Sequence, residues 1–420
     1  MALVDLADWL AEFGNQKESH WYIKRLSGND TLANGSHQAG PYIPREFLFR
    51  VFSQLNRPDI KNPHVEISAF IDSHAQAAKP KAIWYNAKVY LPPEILATKR
   101  HPKNEVHFTG WGGGGSAVLD PDSTGSLAVF VFLPNNEGGP EARVWICDDT
   151  TQEDVIEEMF GAIEPGMSII WRPGQAQPLT LFSGILGPAP KKHCRLQPHE
   201  IPPDWLKQFP NGLEIVQKSV EMRPLDGKAP SERLICRRAC EYEIFLSVEQ
   251  AVEEETVRRG FDNVEALLAY ARPLMQRRMS RSGRSLELQT REILIEEKFE
   301  EGVGFSHGKR SEGNKRPDFL FPSDTRYRDS GYPDGKLRML AVKTSCKDRW
   351  RQILNEADRI QKKHLLTLQE GVSKSQFAEM TDAGVQLVVP NSLIDSFAAP
   401  IRPHLMTLES FIADIRLLPT

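Results

Sequence analysis

Residues 337–360 read LRMLAVKTSCKDRWRQILNEADRI, and residues 315–321 upstream read KRPDFLF. The apolar run Met339–Val342 has the length of a buried strand, and it ends on Lys343. Asp318 opens a second strand candidate, DFLFP. The polar loop between them, PSDTRYRDSGYPDGK, carries the Gly and Pro that fold two strands into a hairpin. Such a hairpin brings Asp318 and Lys343 to neighbouring strands at one edge of a sheet. The stretch RWRQILNEADRIQKKH that follows has helical spacing. Glu356 lies three positions after Ile353 and four before Ile360, so on a helix the three share a face turned toward the sheet.

An Asp, a Lys and a Glu converging there suit metal-assisted phosphodiester hydrolysis. Two carboxylates hold a hard cation such as Mg²⁺ through oxygen ligands. A lysine orients an attacking water or stabilises charge on the phosphate. On these three residues alone, a surface ion pair beside an ordinary turn is the commoner reading. Lys347, Asp348 and Arg349 sit at the start of the expected helix, where an Arg can fork onto guanine and an acid can accept from cytosine. A solvated helix start with a favourable first-turn acid has the same composition. Upstream, RRMSRSGRSLE packs Arg277, Arg278, Arg281 and Arg284 into eight residues and places Glu287 at an expected helix start. The arginines suit phosphate contacts, and Glu287 is a candidate further metal ligand, direct or through water.

The flanking sequence sets the organisation. With 420 residues, 40% of them hydrophobic, the chain is long enough for two cored domains. The net charge of −4 excludes a generic polycation, so DNA binding must rely on local basic patches. Five cysteines, odd in number and irregular in spacing, suit a reducing compartment better than a disulfide framework. His193, Cys194, Cys236 and Cys240 lack the paired spacing of a zinc site. The amphipathic start, MALVDLADWLAEFG, lacks a charged n-region, and no apolar run approaches a membrane span. A soluble, cytoplasmic protein is expected, with no membrane partner.

The first part reads as mainly β. AIWYNAKVYL, SLAVFVFL and EARVWIC are short strand candidates bounded by Gly, Pro and Asn, and DDTTQEDVIEEMFGAIEPG between turns is a capped helix. A Pro/Gly-rich connection follows from Trp171 to about Pro203. Beyond it, SVEQAVEEETVRRGF, NVEALLAYARPLMQRR and SLELQTREILIEEKF have helical spacing, and strands then alternate with helices as in an α/β domain. The expected division is residues 1–185, a linker at 186–203, and 204–420.

Taken together, SRSGRSLE, EGNKRPDFLFP and LRMLAVKTSCKDRWRQILNEADRI resemble the catalytic half of the EcoRII restriction endonucleases. This is a branch of the PD-(D/E)XK nucleases whose glutamate has moved from the strand to the following helix. YIKRLSGNDT, GSHQAGPYIP, WYNAKVY and EDVIEE resemble the amino-terminal effector domain of the same family. The resemblance implies a multidomain chain: a mainly-β, B3-like pseudobarrel that binds DNA, then an α/β restriction-endonuclease-like catalytic domain. It assigns catalysis to Asp318, Lys343 and Glu356, with Mg²⁺ held by Asp318, Glu356 and Glu287. It gives Lys347, Asp348 and Arg349 the reading of outer C·G pairs, and Arg281 and Arg284 the gripping of DNA. Arg238 and Tyr242, in CRRACEYEIF, match a segment that contacts a flipped central base.

In the effector domain, Lys24, Arg25, His37 and Tyr42 match one DNA-contacting arm, and Lys103, Glu105 and His107 a second. Val106 and His107 stand where the family has Lys and Arg, and Gly110 also replaces a basic residue. The resemblance implies a prokaryotic type II enzyme cutting duplex DNA at a short pseudopalindrome, CCWGG first and CCNGG or CCGG as alternatives. It also implies a homodimer, an inhibitory effector domain, and a cognate DNA methyltransferase in the host. From another class, a DNA-binding regulator with a silent nuclease fold remains, and the intact Asp318, Lys343 and Glu356 argue against it.

Overall fold

The computed structural model describes residues 5–35, 40–98, 101–174, 179–182 and 194–419. The chain forms two compact units. The first comprises Met1–Ser183 with Gln369–Phe377 and Asp395–Ile401, and the second comprises Gly184–Leu368, Ala378–Ile394 and Arg402–Thr420. Neither unit is a single stretch of chain, so the contiguous division expected from sequence needs correction. Much of the expected linker lies outside the described residues. Its end, Cys194–Pro203, is packed: Leu196 and Ile201 are buried with Ile215, Ile244 and Phe245. A disulfide joins Cys194 to Cys240, with Cα atoms 5.1 Å apart. That corrects the expectation of cysteines without disulfides and removes both residues from any zinc site.

The first unit is built on a seven-stranded sheet. Its strands are β1 (His20–Arg25), β3 (Ser68–Ile71), β4 (Gln76–Ala78), β7 (Leu127–Leu133), β8 (Glu141–Ile146), β9 (Met167–Trp171) and β10 (Leu179–Phe182). They lie in the order β10-β9-β1-β7-β8-β3-β4. A second sheet pairs β2 (His64–Glu66), β5 (Lys81–Tyr85) and β6 (Glu105–Thr109) in the order β2-β5-β6. LAVFVFL is apolar at every position because strand β7 is covered on both faces. Val129 and Val131 pack with Trp21 and Ile23 against helices α1 (Leu6–Gly14) and α3 (Thr150–Phe160). Phe130 and Phe132 pack with Tyr22 against helix α2 (Arg45–Val51) and the smaller sheet. Helix α3 begins where the acids predicted: the Asp149 carboxylate accepts the Thr151 and Gln152 N–H groups.

The second unit carries a six-stranded mixed sheet. Strands β11 (Ser306–His307), β12 (Phe319–Phe321), β13 (Arg338–Lys343), β14 (Lys363–Thr367), β15 (Val385–Val389) and β16 (Met406–Thr407) lie side by side in chain order. The first three are antiparallel and the last four parallel, with β13 shared. Helices α4 (Gly212–Met222), α5 (Pro230–Arg259), α6 (Val264–Glu296) and α7 (Leu408–Arg416) complete it. Leu286, Ile293 and Leu294 of α6 pack on Phe319, Leu340 and Val342, as do Phe411 and Ile412 of α7.

The basic run at 277–287 is continuous helix inside α6, and Arg277, Arg278 and Arg281 turn onto a neighbouring helix where phosphate contacts were expected. The reason is a ladder of ion pairs between two antiparallel helices. Arg277 meets Glu253, Arg278 meets Glu249 and Arg281 meets Glu241, each at 2.6 Å. Glu287 accordingly sits well within a helix and not at its start. Among the described residues no helix is long and apolar enough to cross a membrane.

Arg25 is also a structural residue. Its side chain is 5% exposed and pairs with Glu153 at 2.7 Å and Glu157 at 2.9 Å, pinning β1 to α3. The expectation that it contacts DNA is corrected on that ground. Replacing it by Ala leaves two buried carboxylates without their cation, so Arg25→Ala is expected to destabilise the unit by about 3–5 kcal/mol. The measurement is a urea unfolding curve followed by tryptophan fluorescence; an unmoved midpoint contradicts this account.

Candidate active site

The hairpin expected from sequence is present: Phe319 pairs with Leu340 and Leu320 with Met339 across β12 and β13. Asp318, just before β12, turns its carboxylate onto the neighbouring strand and accepts the Val342 N–H at 2.7 Å. Lys343, the last residue of β13, brings its Nζ to 3.7 Å from the same Oδ2. Both side chains are partly buried.

Glu356 arrives differently from the expectation. Residues Arg349–Asn355 form a 3-10 helix, and Glu356 follows it as an extended residue (φ −92°, ψ 145°). The long helix suggested by the apolar spacing is cut short because the chain must turn back into β14. Ala357 makes that turn with φ +49°. Glu356 and Ile360 therefore do not share a helix face, but the Glu356 carboxyl still reaches the charge field of Asp318 and Lys343.

The electrostatics are those of an incompletely neutralised pair. Burial, then the Asp318 charge, push the Glu356 carboxyl up to about 7, with Lys343 and Lys363 opposing. Burial also raises Asp318, against the pull of Lys343 and the Val342 amide. Lys343 and Lys363 together do not offset the burial and mutual repulsion of the two carboxyls. A divalent cation would, so this donor set fits one.

Glu287 is near enough to raise the Asp318 carboxyl further. Its own carboxylate is engaged by the ring of His307 and by Arg284 at 2.8 Å. Burial works to raise Glu287, but these two partners outweigh it and hold the group below the ordinary glutamate value. Among the described residues, no three His, Cys, Asp or Glu side chains are arranged to hold a metal by themselves. Glu287, expected as a further ligand directly or through water, is engaged by His307 and Arg284 beside the Asp318 carboxyl. His307 went unnoticed in the sequence. It pairs with Phe319 across β11 and β12 and stacks on that ring, a cross-strand relation no linear motif reveals.

The other candidates separate into two groups. Lys347, Asp348 and Arg349 lie together, half-buried, where the 3-10 helix begins after β13. Arg238 is buried in α5, and Tyr242 lies under the Arg281 guanidinium, 4.5 Å from ring centroid to Cζ. Arg281, 7% exposed and paired with Glu241, is withdrawn as a DNA contact, whereas Arg284 is exposed.

In the first unit Lys24 is buried and paired with Asp30 at 2.6 Å, and Tyr42 is exposed. His37 lies outside the described residues. Glu105 and His107 point outward from β6, 3.0 Å apart, and Lys103 lies 3.3 Å from Glu105. Tyr85, missed in the sequence, joins them: Lys103 sits 5.4 Å over its ring, which also meets the His107 ring edge-on. Val106 faces the core, so its apolar character removes no exposed contact. Gly110 has φ +89°, a conformation that favours glycine over the basic residue it replaces.

A strand with a polar outward face on one unit, and an Asp, Lys and Glu meeting at one end of the β12–β13 pair on the other, are the layout of a nuclease with its own DNA-binding module. Comparison with known proteins narrows this to a family. Residues 15–175 match the model of the N-terminal part of the restriction endonuclease EcoRII, and residues 245–412 match that of the EcoRII C-terminal part. Over 413 residues the chain is 40% identical to the Type II restriction enzyme EcoRII of Escherichia coli, covering 97% of this chain and 96% of that one. The chain belongs to the EcoRII family of type II restriction endonucleases, with the family's N-terminal and C-terminal parts in that order.

Among solved structures, metal-depleted Ecl18kI in complex with uncleaved DNA aligns with a TM-score of 0.42 and 17% identity, over 53% of this chain and 85% of that one. The B3 domain of the UbaLAI restriction endonuclease, with cognate DNA, aligns at 0.27 and 15%, over 41% of this chain and 99% of that one.

The raised Glu356 carboxyl gives a pH test. A glutamate whose pKa rises from 4.5 to about 7 on folding binds a proton more tightly in the native state. Its contribution is full below the unfolded value and is lost as pH rises through about 7. Metal-free protein should thus lose stability across that window. Glu356→Gln should flatten the decline and be the more stable protein at about pH 8. Thermal unfolding in EDTA across the pH range measures this, and parallel curves for parent and variant would contradict it.

Proposed function

We propose that this restriction endonuclease hydrolyses one phosphodiester in each strand of a short pseudopalindromic duplex, with CCWGG as the leading site, in a Mg²⁺-dependent reaction. The observation that carries the reading is the convergence of Asp318, Lys343 and Glu356 at the end of β13. Asp318 and Glu356 would hold the cation, which when bound polarises the scissile phosphate and acidifies the attacking water.

The remaining steps belong to the protein. The amide of Val342 fixes one oxygen of Asp318, the one that Lys343 also approaches. Lys343 orients the water and offers its charge to the phosphate oxygens. The water oxygen attacks phosphorus, and the bond to the leaving oxygen breaks. Lys347, Asp348 and Arg349, four to six residues past the strand's polar end, read outer C·G pairs. Arg284 contacts phosphate, and Arg238 and Tyr242 line the place of an extruded base.

A symmetric site calls for a homodimer with one active site per strand. A cognate methyltransferase would protect the host's own sites. In the effector domain, Tyr42, Lys103, Glu105 and His107 are the residues in position to read a second site. Occupation of that domain then shifts the nuclease toward an active state, which requires that DNA bind it better in that state.

Asp318→Asn and Lys343→Ala are expected to abolish cleavage while keeping specific DNA binding, read by gel shift in Ca²⁺. Sequencing the ends of cut plasmid identifies the site, and heterogeneous ends would contradict site-specific cutting by this centre. Arg349→Ala should lose roughly 1–3 kcal/mol of discrimination at a G·C pair. Equal losses on specific and random DNA would remove it from base reading. A plasmid with two sites should be cut faster than one with a single site; equal rates contradict effector control.

A further inference from the structure

The turn that delivers Glu356 is held from below by a lysine that no motif singles out. Lys363 opens strand β14, and its side chain is almost wholly buried. Its ammonium group donates to two consecutive main-chain carbonyls, those of Glu356 and Ala357, the second at 2.7 Å. Ala357 is fully buried and sits at φ +49°, a conformation a residue with a Cβ rarely adopts unless its surroundings impose it. Its carbonyl also accepts the Ile360 N–H at 2.9 Å, and the Glu356 N–H donates to the Ile353 carbonyl at 3.0 Å. The backbone on both sides of Glu356 is therefore tied: to the 3-10 helix before it, and to β14 after it through Lys363.

We infer that Lys363 is a positioning residue for the metal site: its ammonium group clamps the Glu356–Ala357 turn so that the Glu356 carboxylate is held facing Asp318. This rests on the reading of Glu356 as a metal ligand. An extended residue that follows the last turn of a 3-10 helix lies outside the helical ladder that would fix its direction. On the side that leads into β14, the carbonyl anchors help decide where its side chain points. Buried carbonyls also need donors, and an ammonium group with three N–H bonds can serve two of them at once. A ligand whose anchor is lost binds its metal about ten- to a hundredfold more weakly.

The test uses the full-length protein bound to cognate DNA, with Ca²⁺ as a non-cleaving probe and calorimetric titration as the readout, alongside unfolding temperature. Lys363→Met keeps the apolar stem and removes the donors. It is expected to weaken Ca²⁺ binding at least tenfold and to raise the Mg²⁺ needed for half-maximal cleavage, with DNA affinity in EDTA unchanged. Lys363→Gln, shorter but still a donor, should show a smaller loss in the same direction, and it serves as the test if the Met variant does not fold.

A folded Lys363 variant that binds Ca²⁺ like the parent, whatever its unfolding temperature, overturns the proposal and leaves the lysine a purely structural group. Glu356→Gln is measured beside it. If that substitution also leaves Ca²⁺ binding intact, it is the reading of Glu356 as a ligand that has failed. If Glu356→Gln loses the metal and Lys363→Met does not, only the clamp has.

Discussion

The catalytic unit depends on a single cross-strand hydrogen bond, from the Val342 N–H to the Asp318 carboxylate. Asp318 stands just outside strand β12, where the ladder between β12 and β13 would otherwise leave that amide without a main-chain partner. By accepting it, the aspartate extends the pairing by one residue and fixes its own orientation. It also sets the separation from Lys343, which the strand ends on. What makes the arrangement chemically useful is that it is unbalanced. Asp318 and Glu356 share a partly buried corner that Lys343 and Lys363 do not fully neutralise, and burial first, then the Asp318 charge, makes the Glu356 carboxyl resist ionisation. A corner of this kind is a cost to a structural protein and a receptor for a divalent cation.

The same chain shows how much of an apparent DNA-binding surface goes into folding. Arg277, Arg278 and Arg281 look in sequence like a basic patch. In the fold they form rungs with Glu253, Glu249 and Glu241 between two antiparallel helices. The stem of Arg281 is buried, and its guanidinium covers the Tyr242 ring. Arg25 does the equivalent for the first unit by tying β1 to α3 through two glutamates. Charge density along a sequence says nothing about where the opposite charge lies. With a net charge of only −4 across 108 charged residues, 52 basic and 56 acidic, most arginines have an acid within reach.

In the first unit the alternation of a short strand does the sorting. Glu105 and His107 face out from β6 while Val106 and Phe108 face in. The outward pair, with Lys103 and Tyr85, makes a compact polar and aromatic patch in which each group orients its neighbour. Sequence comparison alone treats Val106 as a lost contact; the pleat makes it part of the core.

The nuclease half was legible in its linear order: Asp318, a hairpin loop, an apolar strand ending on Lys343, and an acid thirteen residues later. These are local relations, and hydrophobic periodicity and turn chemistry are enough to express them. The mainly-β character of the first part, and the capped helix at Thr150, were legible for the same reason. What only the tertiary structure decided depends on which distant group meets which. The helix expected around Glu356 stops at Asn355 because β14 must begin at Lys363, and the turn between them is stabilised by that strand's own lysine. His307 reaches Glu287 only because β11 adds to the sheet edge beneath α6. The arginine ladder forms only once two helices lie antiparallel, and Cys194 finds Cys240 across 46 residues only when the intervening helices have packed. Period and spacing carry information along one element, whereas burial and charge pairing are properties of the closed fold.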